Sequence, residues 1–335
     1  MIGKSISAFD DLLNYFCAFT PNMKKIHIAF LSIACALISF SKGKATQNEF
    51  AGAVKKTFDC IYNFKFKKAD SLITLLKKTY PDKIQPYILG TNYYWWKIRS
   101  GEDNADVRKK FLQQIYLTKM LLDKKTDSGK ELCNEDIFDY IHLYAYSARL
   151  ALVDDNYFKA LSYMDKCLGY LKASFGKENM FESFSLTSGL YNFFIAESKK
   201  KYLVLFPFMQ LLPDANREKG ISYLIKCSES QDTVLCSEGR YFMMLIYNES
   251  ENLPAISEKY SLLLCMEHPG NLLYQYYLFS VLLRQDKEAE AKKRLDILAE
   301  TGNRNEELND TQKNFYLEKA KDDLSKYQKK NHPPK

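Results

Sequence analysis

The chain has 335 residues and a formal net charge of +7, with 48 basic and 41 acidic residues. Because the charges are interspersed along the chain and form no basic stripe, the sequence gives no support for a nucleic-acid partner. Glycine and proline, at 13 and 9 residues, are too scarce for the dense turns of a many-stranded β-sandwich.

Residues 23–45 have the three parts of an export signal. Two lysines follow Met23, an apolar run covers Ile26–Phe40, and small side chains at positions 43 and 45 suit a signal peptidase. The apolar run is shorter than the roughly 20 residues that span a bilayer. We therefore expect cleavage after Ala45, and membrane contact only through this signal.

Residues 1–22 precede this signal, and the simplest interpretation is that the true start is Met23. A native leader helix is the alternative, because apolar residues recur at helical spacing within 9–16. For Ile26–Phe40, three other interpretations stay open: a lipoprotein signal at Cys35, a buried helix of the fold, and an uncleaved anchor. The lipoprotein alternative lacks the expected leucine three residues before the cysteine.

Downstream of the signal, apolar residues recur at i, i+3 and i+4, and strict two-residue alternation is nearly absent. This periodicity predicts an all-α fold. Polar or Gly/Pro-containing breaks then divide the chain into helices of ordinary length. The predicted breaks are at 81–82, 100–104, 126–129, 154–156, 213–214, 248–250, 269–271 and 302–303.

Small residues recur at fixed spacing within the predicted helix pairs. In residues 141–167, Ala148 lies in a first helix and Ala160 follows by twelve in a second. Ala69 and Gly220 open the same second-helix pattern elsewhere, with larger apolar residues four and seven positions on. We expect these small residues where two antiparallel helices cross closely.

This spacing resembles the tetratricopeptide repeat (TPR), which has small residues at three fixed positions of its 34-residue unit. The resemblance implies an array of antiparallel helix pairs that forms a right-handed superhelix, an α-solenoid, over residues 46–305. Residues 306–335 would then form a C-terminal capping helix and a basic tail. Departures from the pattern occur at Ala151 and Phe208, where the repeat has a tyrosine and a small residue.

A second resemblance is local and rests on residues 188–194, 206–208 and 216–224. These stretches are similar to exported TPR-like proteins of Gram-negative bacteria, and faintly to the inclusion-body-clearance TPR family. Both imply a helical scaffold without known catalysis. The expected location is therefore the periplasm or cell envelope of a Gram-negative bacterium, or outside the cell.

Six cysteines follow the predicted signal, at positions 60, 133, 167, 227, 236 and 265. An even number in an exported protein permits disulfides. Most of these residues fall in helical apolar patterns, which favours buried free thiols.

The sequence contains none of the common motifs of nucleotide binding, serine hydrolysis or zinc proteolysis. Acidic pairs such as Asp154-Asp155 fall in predicted turns, where capping is their expected role. We therefore predict no catalytic residue, no metal site and no cofactor, and we interpret the chain as a non-enzyme.

The expected function is a non-catalytic scaffold that binds a protein or peptide through the concave face of the array. In the best-fitting unit the face-lining positions are His142, Arg149 and Leu152, with Ala145 between them. Trp95 and Trp96, in a run of four aromatic residues, are candidates to continue this surface. The alternative is a carbohydrate or small-ligand binding module of the cell envelope, since exposed aromatic rings stack on sugars.

Overall fold

The computed structural model describes residues 45–127, 129, 131–201 and 212–331. Within these residues all regular structure is helical, so the predicted all-α class is confirmed. The helices are α1 (Ala45–Tyr62), α2 (Phe66–Thr79), α3 (Gln85–Arg99), α4 (Ala105–Asp127), α5 (Asn134–Val153), α6 (Tyr157–Ser174), α7 (Ser183–Lys201), α8 (Arg217–Ser228), α9 (Thr233–Leu245), α10 (Pro254–Glu267), α11 (Leu272–Leu283), α12 (Glu288–Arg304) and α13 (Asp310–Asn331).

Local sequence explains where several helices begin. Side chains of Asn156, Asp232 and Asn271 accept hydrogen bonds from backbone N–H groups in the first turns of α6, α9 and α11. This capping satisfies donors that a helix N-terminus leaves unpaired. Proline stands in the first turn of α3 and of α10, where its fixed φ and missing N–H suit the helix.

Two of the predicted breaks need correction, and several connections between helices were not predicted. The predicted break at 302–303 lies inside α12, which continues to Arg304. The predicted break at 248–250 is a π-helical turn, Ile246–Ser250, that extends α9 before the chain turns. The connection between α6 and α7, residues 175–182, has no counterpart among the predicted breaks.

The chain divides into two compact units. Residues 136–223 form one, which we call the inserted unit. The described residues of 45–135 and 224–331 form the other, which we call the discontinuous unit. From the sequence we expected one continuous array over 46–305, and no local pattern signalled this division.

In the inserted unit, α5 and α6 form the helix pair that best fits the repeat pattern. The chain reverses at 154–156, where Asp155 takes a left-handed backbone conformation with φ of 54°. Tyr140 of α5 and Tyr170 of α6 stack with their ring centres 4.3 Å apart. The Cys167 thiol lies 3.6 Å from the carbonyl oxygen of Ile141, so the two helices are in direct contact.

In the discontinuous unit, consecutive helices also pack in pairs: α1 with α2, α3 with α4, α9 with α10, and α11 with α12. Helix α13 packs on both α11 and α12. It therefore lies against the final pair, and its role as a cap stays a prediction.

Helices that are far apart in sequence also meet in the discontinuous unit. The Tyr62 hydroxyl donates to the Glu238 carboxylate, and the Asn271 amide donates to the Tyr62 carbonyl at 2.8 Å. The Gln312 amide likewise donates to the Ser100 hydroxyl at 2.8 Å. A simple array needs contacts only between neighbouring repeats. The superhelical arrangement therefore stays a prediction.

Aromatic rings fill the core of this unit. Trp96 lies 5.2 Å from Tyr62 and 5.8 Å from Tyr274, measured between ring centres. His268 also stacks on Tyr62, at 5.0 Å. Each ring removes a large apolar area from water, so this cluster is a major source of stability.

Four cysteines, Cys60, Cys167, Cys236 and Cys265, are free and buried. Burial raises the pKa of the Cys167 and Cys265 thiols to about 12, so these two are protonated and unreactive at neutral pH. In the part of the chain that the structure describes, no helix combines the length and apolar character needed to cross a membrane.

Candidate functional site

The predicted groove residues of α5 do not form an open surface. His142 is 2% exposed and Ala145 is also buried, while Arg149 and Leu152 are half-buried. The His142 ring instead packs 4.4 Å from the Tyr146 ring of the same helix. This burial corrects the expectation that His142 lines a solvent-filled face, because α5 is buried around nearly its whole circumference.

The His142 side chain is also unsuited to recognising a polar ligand. Burial, reinforced by the positive charge of Arg149, lowers the pKa of its imidazole to about 3. The ring is therefore neutral at physiological pH. Among the described residues neither ring nitrogen has a hydrogen-bond partner.

Trp95 and Trp96 are core residues, not a ligand platform. They are 6% and 3% exposed, and Trp95 packs 6.1 Å from Phe111 of α4. Of the four consecutive aromatic residues on α3, only Tyr94 is half-exposed. The expected extension of a binding face by these two tryptophans is therefore corrected: both rings belong to the interior.

The four positions that the sequence analysis assigned to helix packing are all buried: Ala69, Ala148, Ala160 and Gly220. Gly220 makes the closest approach. A Cβ atom there would lie 2.5 Å from the backbone nitrogen of Phe193 and 2.8 Å from the carbonyl oxygen of Gly189. Only glycine lets α8 come this near to α7.

Other predicted features lie outside the described residues. These are the leader 1–22, most of the predicted signal, the stretch 206–208 and the end of the basic tail. Helix α1 begins at Ala45, the residue before the predicted cleavage position.

A serine and a histidine meet in the discontinuous unit, but their hydrogen bonds do not suit nucleophilic catalysis. His268 Nε2 lies 2.7 Å from Ser237 Oγ, and the Ser237 hydroxyl donates to the Thr233 carbonyl at 2.8 Å. Since a hydroxyl has one hydrogen, the histidine must donate at Nε2 and cannot take the serine proton. Burial also lowers the pKa of His268 to about 4, with Arg240 adding to the shift.

The structure brings no metal-binding set together either: within the described ranges, no three His, Cys, Asp or Glu side chains are placed to hold an ion.

The most unusual surface of the described chain is one face of α4. Leu112, Tyr116 and Met120 follow one another at intervals of four residues and therefore share a face. Their exposed fractions are 42%, 67% and 49%. Single exposed apolar residues are common, whereas three adjoining ones on a helix are typical of interaction sites. We call this set the α4 face.

The opposite side of α4 explains why these three residues are left out of the core. Val107, Phe111, Thr118 and Leu122 are the buried residues of the helix and pack on its partner, α3. One apolar stripe would suffice for this packing. The second stripe has no such role among the described residues of the discontinuous unit.

An open depression of about 710 Å³ lies along the α4 face. The wall that the structure describes is formed by α4 itself and includes Arg108, Lys109, Leu112 and Tyr116. The depression is wide open, which suits the side chains of a partner segment better than an enclosed small molecule.

The charges around the α4 face are unevenly neutralised. Arg108 is paired with Asp103 at 2.5 Å, and Lys110 with Asp106 at 2.8 Å. In contrast, Lys109 and Lys124 are exposed and form no ion pair with any described residue. These two lysines lie one turn before Leu112 and one turn after Met120, so unpaired positive charge stands at each end of the stripe.

Sequence reasoning missed this surface, although a signal was present. Residues 105–127 carry two apolar stripes, one at 107, 111 and 122 and the other at 112, 116 and 120. A helix with apolar residues on two sides is expected to have neighbours on both sides, so the second stripe was the available signal.

Comparisons with protein-family models, with curated proteins and with solved structures found no match.

Proposed function

We propose that this protein is a non-catalytic helical scaffold that binds a segment of another protein on the α4 face. The observation that carries the proposal is the exposed stripe of Leu112, Tyr116 and Met120. Amphipathic helices commonly dock on apolar surfaces through residues at such spacing. This proposal places the binding surface on α4, the second helix of the α3–α4 pair. The sequence analysis had placed it on the concave face that includes α5.

The charge pattern favours one kind of partner. The exposed stripe is about 12 Å long at 1.5 Å per residue, and the unpaired Lys109 and Lys124 flank its two ends. A complementary segment would be an amphipathic helix with a leucine-like stripe flanked by Asp or Glu. Opposite charges at the rim would set orientation and speed association, and the apolar contact would supply most of the affinity.

The proposal that the protein is exported rests on the sequence of residues 23–45 and on the resemblance to exported TPR-like proteins. N-terminal sequencing of protein from a native cell envelope tests it. A mature chain that starts at Thr46 is the expected result, and one that starts at Met1 or Met23 would contradict export with cleavage.

The carbohydrate alternative has lost the feature that motivated it. Sugar stacking needs an exposed aromatic face, and both tryptophans are buried in the core. We therefore do not carry that alternative further.

A synthetic peptide probe tests the proposed surface. The probe is an amphipathic helix of about five turns, roughly 18 residues, with a leucine stripe flanked by glutamates and a fluorescent label at one end. Fluorescence anisotropy should show saturable binding to the full chain. A second peptide with lysines in place of the glutamates should bind more weakly, because it repels Lys109 and Lys124.

Two variants of the protein make the result specific. Tyr116→Lys should weaken binding of the acidic peptide at least tenfold, or about 1.4 kcal/mol. Met266→Lys, at a 76% exposed methionine of α10, is the matched control and should bind like the native chain. Equal loss in both variants, or no binding by the native chain, would reject the proposal.

Two other occupants of the α4 face would appear as different outcomes. Concentration-dependent dimerisation in sedimentation that Tyr116→Lys abolishes would assign the face to a second copy of this chain. Binding to anionic vesicles in preference to the peptide would assign it to a membrane surface. Either result would replace the acidic segment as the partner.

A further inference from the structure

The amine of Lys77 is held where three helices meet. Lys77 belongs to α2, and its Nζ donates a hydrogen bond to the side-chain carbonyl oxygen of Gln114 on α4. The same Nζ lies 5.0 Å from the centre of the Tyr87 ring on α3. A Cβ atom at Gly90, also on α3, would lie only 3.0 Å from it. Contacts with two neighbouring helices therefore fix the position of the amine, and the side chain as a whole is half-buried.

These contacts supply no counter-charge. Gln114 is neutral, and Tyr87 faces the amine with its ring because its hydroxyl donates to the Pro81 carbonyl at 3.1 Å. Asp70 lies two turns earlier on α2 and acts on the amine only at a distance. Within the described residues Lys77 forms no ion pair. A partly buried ammonium without a carboxylate beside it is costly, since desolvation disfavours the charged form.

The neutral form of this amine is correspondingly more populated. Burial lowers the pKa of Lys77 to about 8, and the attraction of Asp70 offsets only part of that shift. About a tenth of such side chains are neutral at pH 7, whereas an ordinary lysine with a pKa of about 10.4 is neutral in roughly one molecule of 2,500. Only the neutral amine has a free electron pair, so a desolvated lysine is a better nucleophile at neutral pH.

We propose that Lys77 is a site of covalent acylation by a small acyl phosphate. The electron pair of Nζ attacks the acyl carbon, and the bond between that carbon and the bridging phosphate oxygen breaks. Phosphate leaves with the bonding electrons and takes up the proton that the nitrogen loses. The products are a secondary amide on Lys77 and free phosphate. A small donor suits the position, because α2, α3 and α4 surround the amine.

The contacts of the amine fit an amide better than other neutral or anionic products. An amide removes the positive charge that has no counter-charge, and it keeps one N–H that can still donate to Gln114. A neutral imine, the product with an aldehyde, would have no N–H for this bond. A carbamate, the product with carbon dioxide, would place a negative charge near the Gln114 carbonyl oxygen. Neither Lys77 nor Gln114 belongs to the α4 face, so this inference is independent of the proposed function.

Acetylation of the full chain by acetyl phosphate at about pH 7.5 tests the inference. Mass spectrometry follows the reaction at each lysine with time, and fragment spectra distinguish the adjacent Lys77 and Lys78. Lys78 is exposed and is the internal control. Lys77 should react at least about fivefold faster than Lys78, because an exposed lysine is ordinarily almost wholly protonated at this pH.

Two further measurements tie the rate to the folded environment. The rate at Lys77 should rise with pH and level off above about pH 8, where its amine becomes neutral. In concentrated urea the contacts with α3 and α4 are lost, so Lys77 and Lys78 should react at similar rates.

Two variants of α4 localise the cause. Gln114→Glu places a carboxylate beside the amine and stabilises the ammonium, so it should slow acetylation of Lys77 at least about fivefold at pH 7.5. The matched control is Gln113→Glu, which adds the same charge at an exposed position about 100° around the helix. It should leave the rate at Lys77 within about twofold of the native rate, since an exposed charge is screened by solvent.

Three results would overturn the inference: acetylation of Lys77 no faster than that of Lys78 in the native chain, an advantage of Lys77 that persists in concentrated urea, or equal slowing by Gln113→Glu and Gln114→Glu. If Gln114→Glu fails to fold, the comparison of Lys77 with Lys78 in the folded and unfolded native chain decides the question.

Discussion

Helices α5 and α4 show why an apolar pattern does not by itself locate a binding surface. In α5, 15 of the 20 residues are buried, among them the histidine that was predicted to line a groove. In α4, 4 of the 23 residues are buried, and three large apolar side chains face solvent. The predicted site helix is an interior helix, and a helix that drew no attention has the open apolar face.

The difference follows from how apolar residues are distributed around each helix. A helix that is apolar on every side is expected to be surrounded by neighbours. Residues 137–151 have this character, with Ile137, Phe138 and Leu143 pointing in different directions. Helix α4 has its two apolar stripes on opposite sides, so one of them can stay outside the core.

The largest expected effect compares a tyrosine from each helix. Tyr146 of α5 is fully buried, and Tyr146→Ala should lower the free energy of unfolding by about 3–5 kcal/mol. Tyr116 of α4 is 67% exposed, and Tyr116→Ala should change it by less than about 0.5 kcal/mol. Urea denaturation followed by circular dichroism measures both. Similar values for the two variants would remove the contrast between the helices.

A smaller loss is expected at the crossing of α7 and α8 in the inserted unit. Gly220→Ala places a methyl group against the backbone of Phe193 and should cost about 2–3 kcal/mol. Gly169→Ala in α6 is the control, since no described atom beyond its own helix lies within 4 Å of the position that a Cβ would take there. That change should be neutral or stabilise by up to about 1 kcal/mol. The melting temperature should therefore fall for Gly220→Ala and stay level or rise for Gly169→Ala.

The burial of His142 predicts a dependence of stability on pH. Its folded pKa of about 3 lies below the ordinary value of about 6.5, so the unfolded chain takes up a proton first as pH falls. The stability from the neutral ring is complete above about pH 6.5 and is lost progressively toward pH 3, by about 2 kcal/mol at pH 5.

The variant His142→Phe removes the titrating group and keeps an aromatic ring beside Tyr146. Its stability should therefore fall less than that of the native chain between pH 7 and pH 5. Parallel pH profiles for the two proteins would show that His142 is accessible to protons in the folded state, against its burial in α5.

The sequence was sufficient for the local structure of the best helix pair. The turn at 154–156 and the small residues Ala148 and Ala160 fall within one stretch of chain, where spacing carries the information. The predicted ends of α9 and α12 came too early in the chain. Asn248 and Gly302 continue their helices, although both residue types usually mark turns.

Longer-range features could not be predicted from spacing. The Tyr62 hydroxyl meets Glu238 across 176 positions, and no local pattern relates those two residues. The same applies to Ser100 and Gln312, whose side chains meet only because the end of α3 lies against α13. The prediction that His142 lines an open groove failed for a different reason. The repeat pattern predicts which position of a repeat unit a residue occupies, but the exposure of its side chain also depends on the residues that surround the unit.

The central claim is that the α4 face is the binding surface. It predicts that Tyr116→Lys has the largest effect on binding and the smallest effect on stability. The measurement is the anisotropy titration of the acidic amphipathic peptide against Tyr116→Lys on α4 and Arg149→Ala on α5, with melting temperatures recorded for both. We expect at least a tenfold loss of affinity for Tyr116→Lys, an unchanged melting temperature for that variant, and native affinity for Arg149→Ala. Native affinity for Tyr116→Lys together with lost binding for Arg149→Ala would place the binding surface on α5 and contradict the assignment to α4.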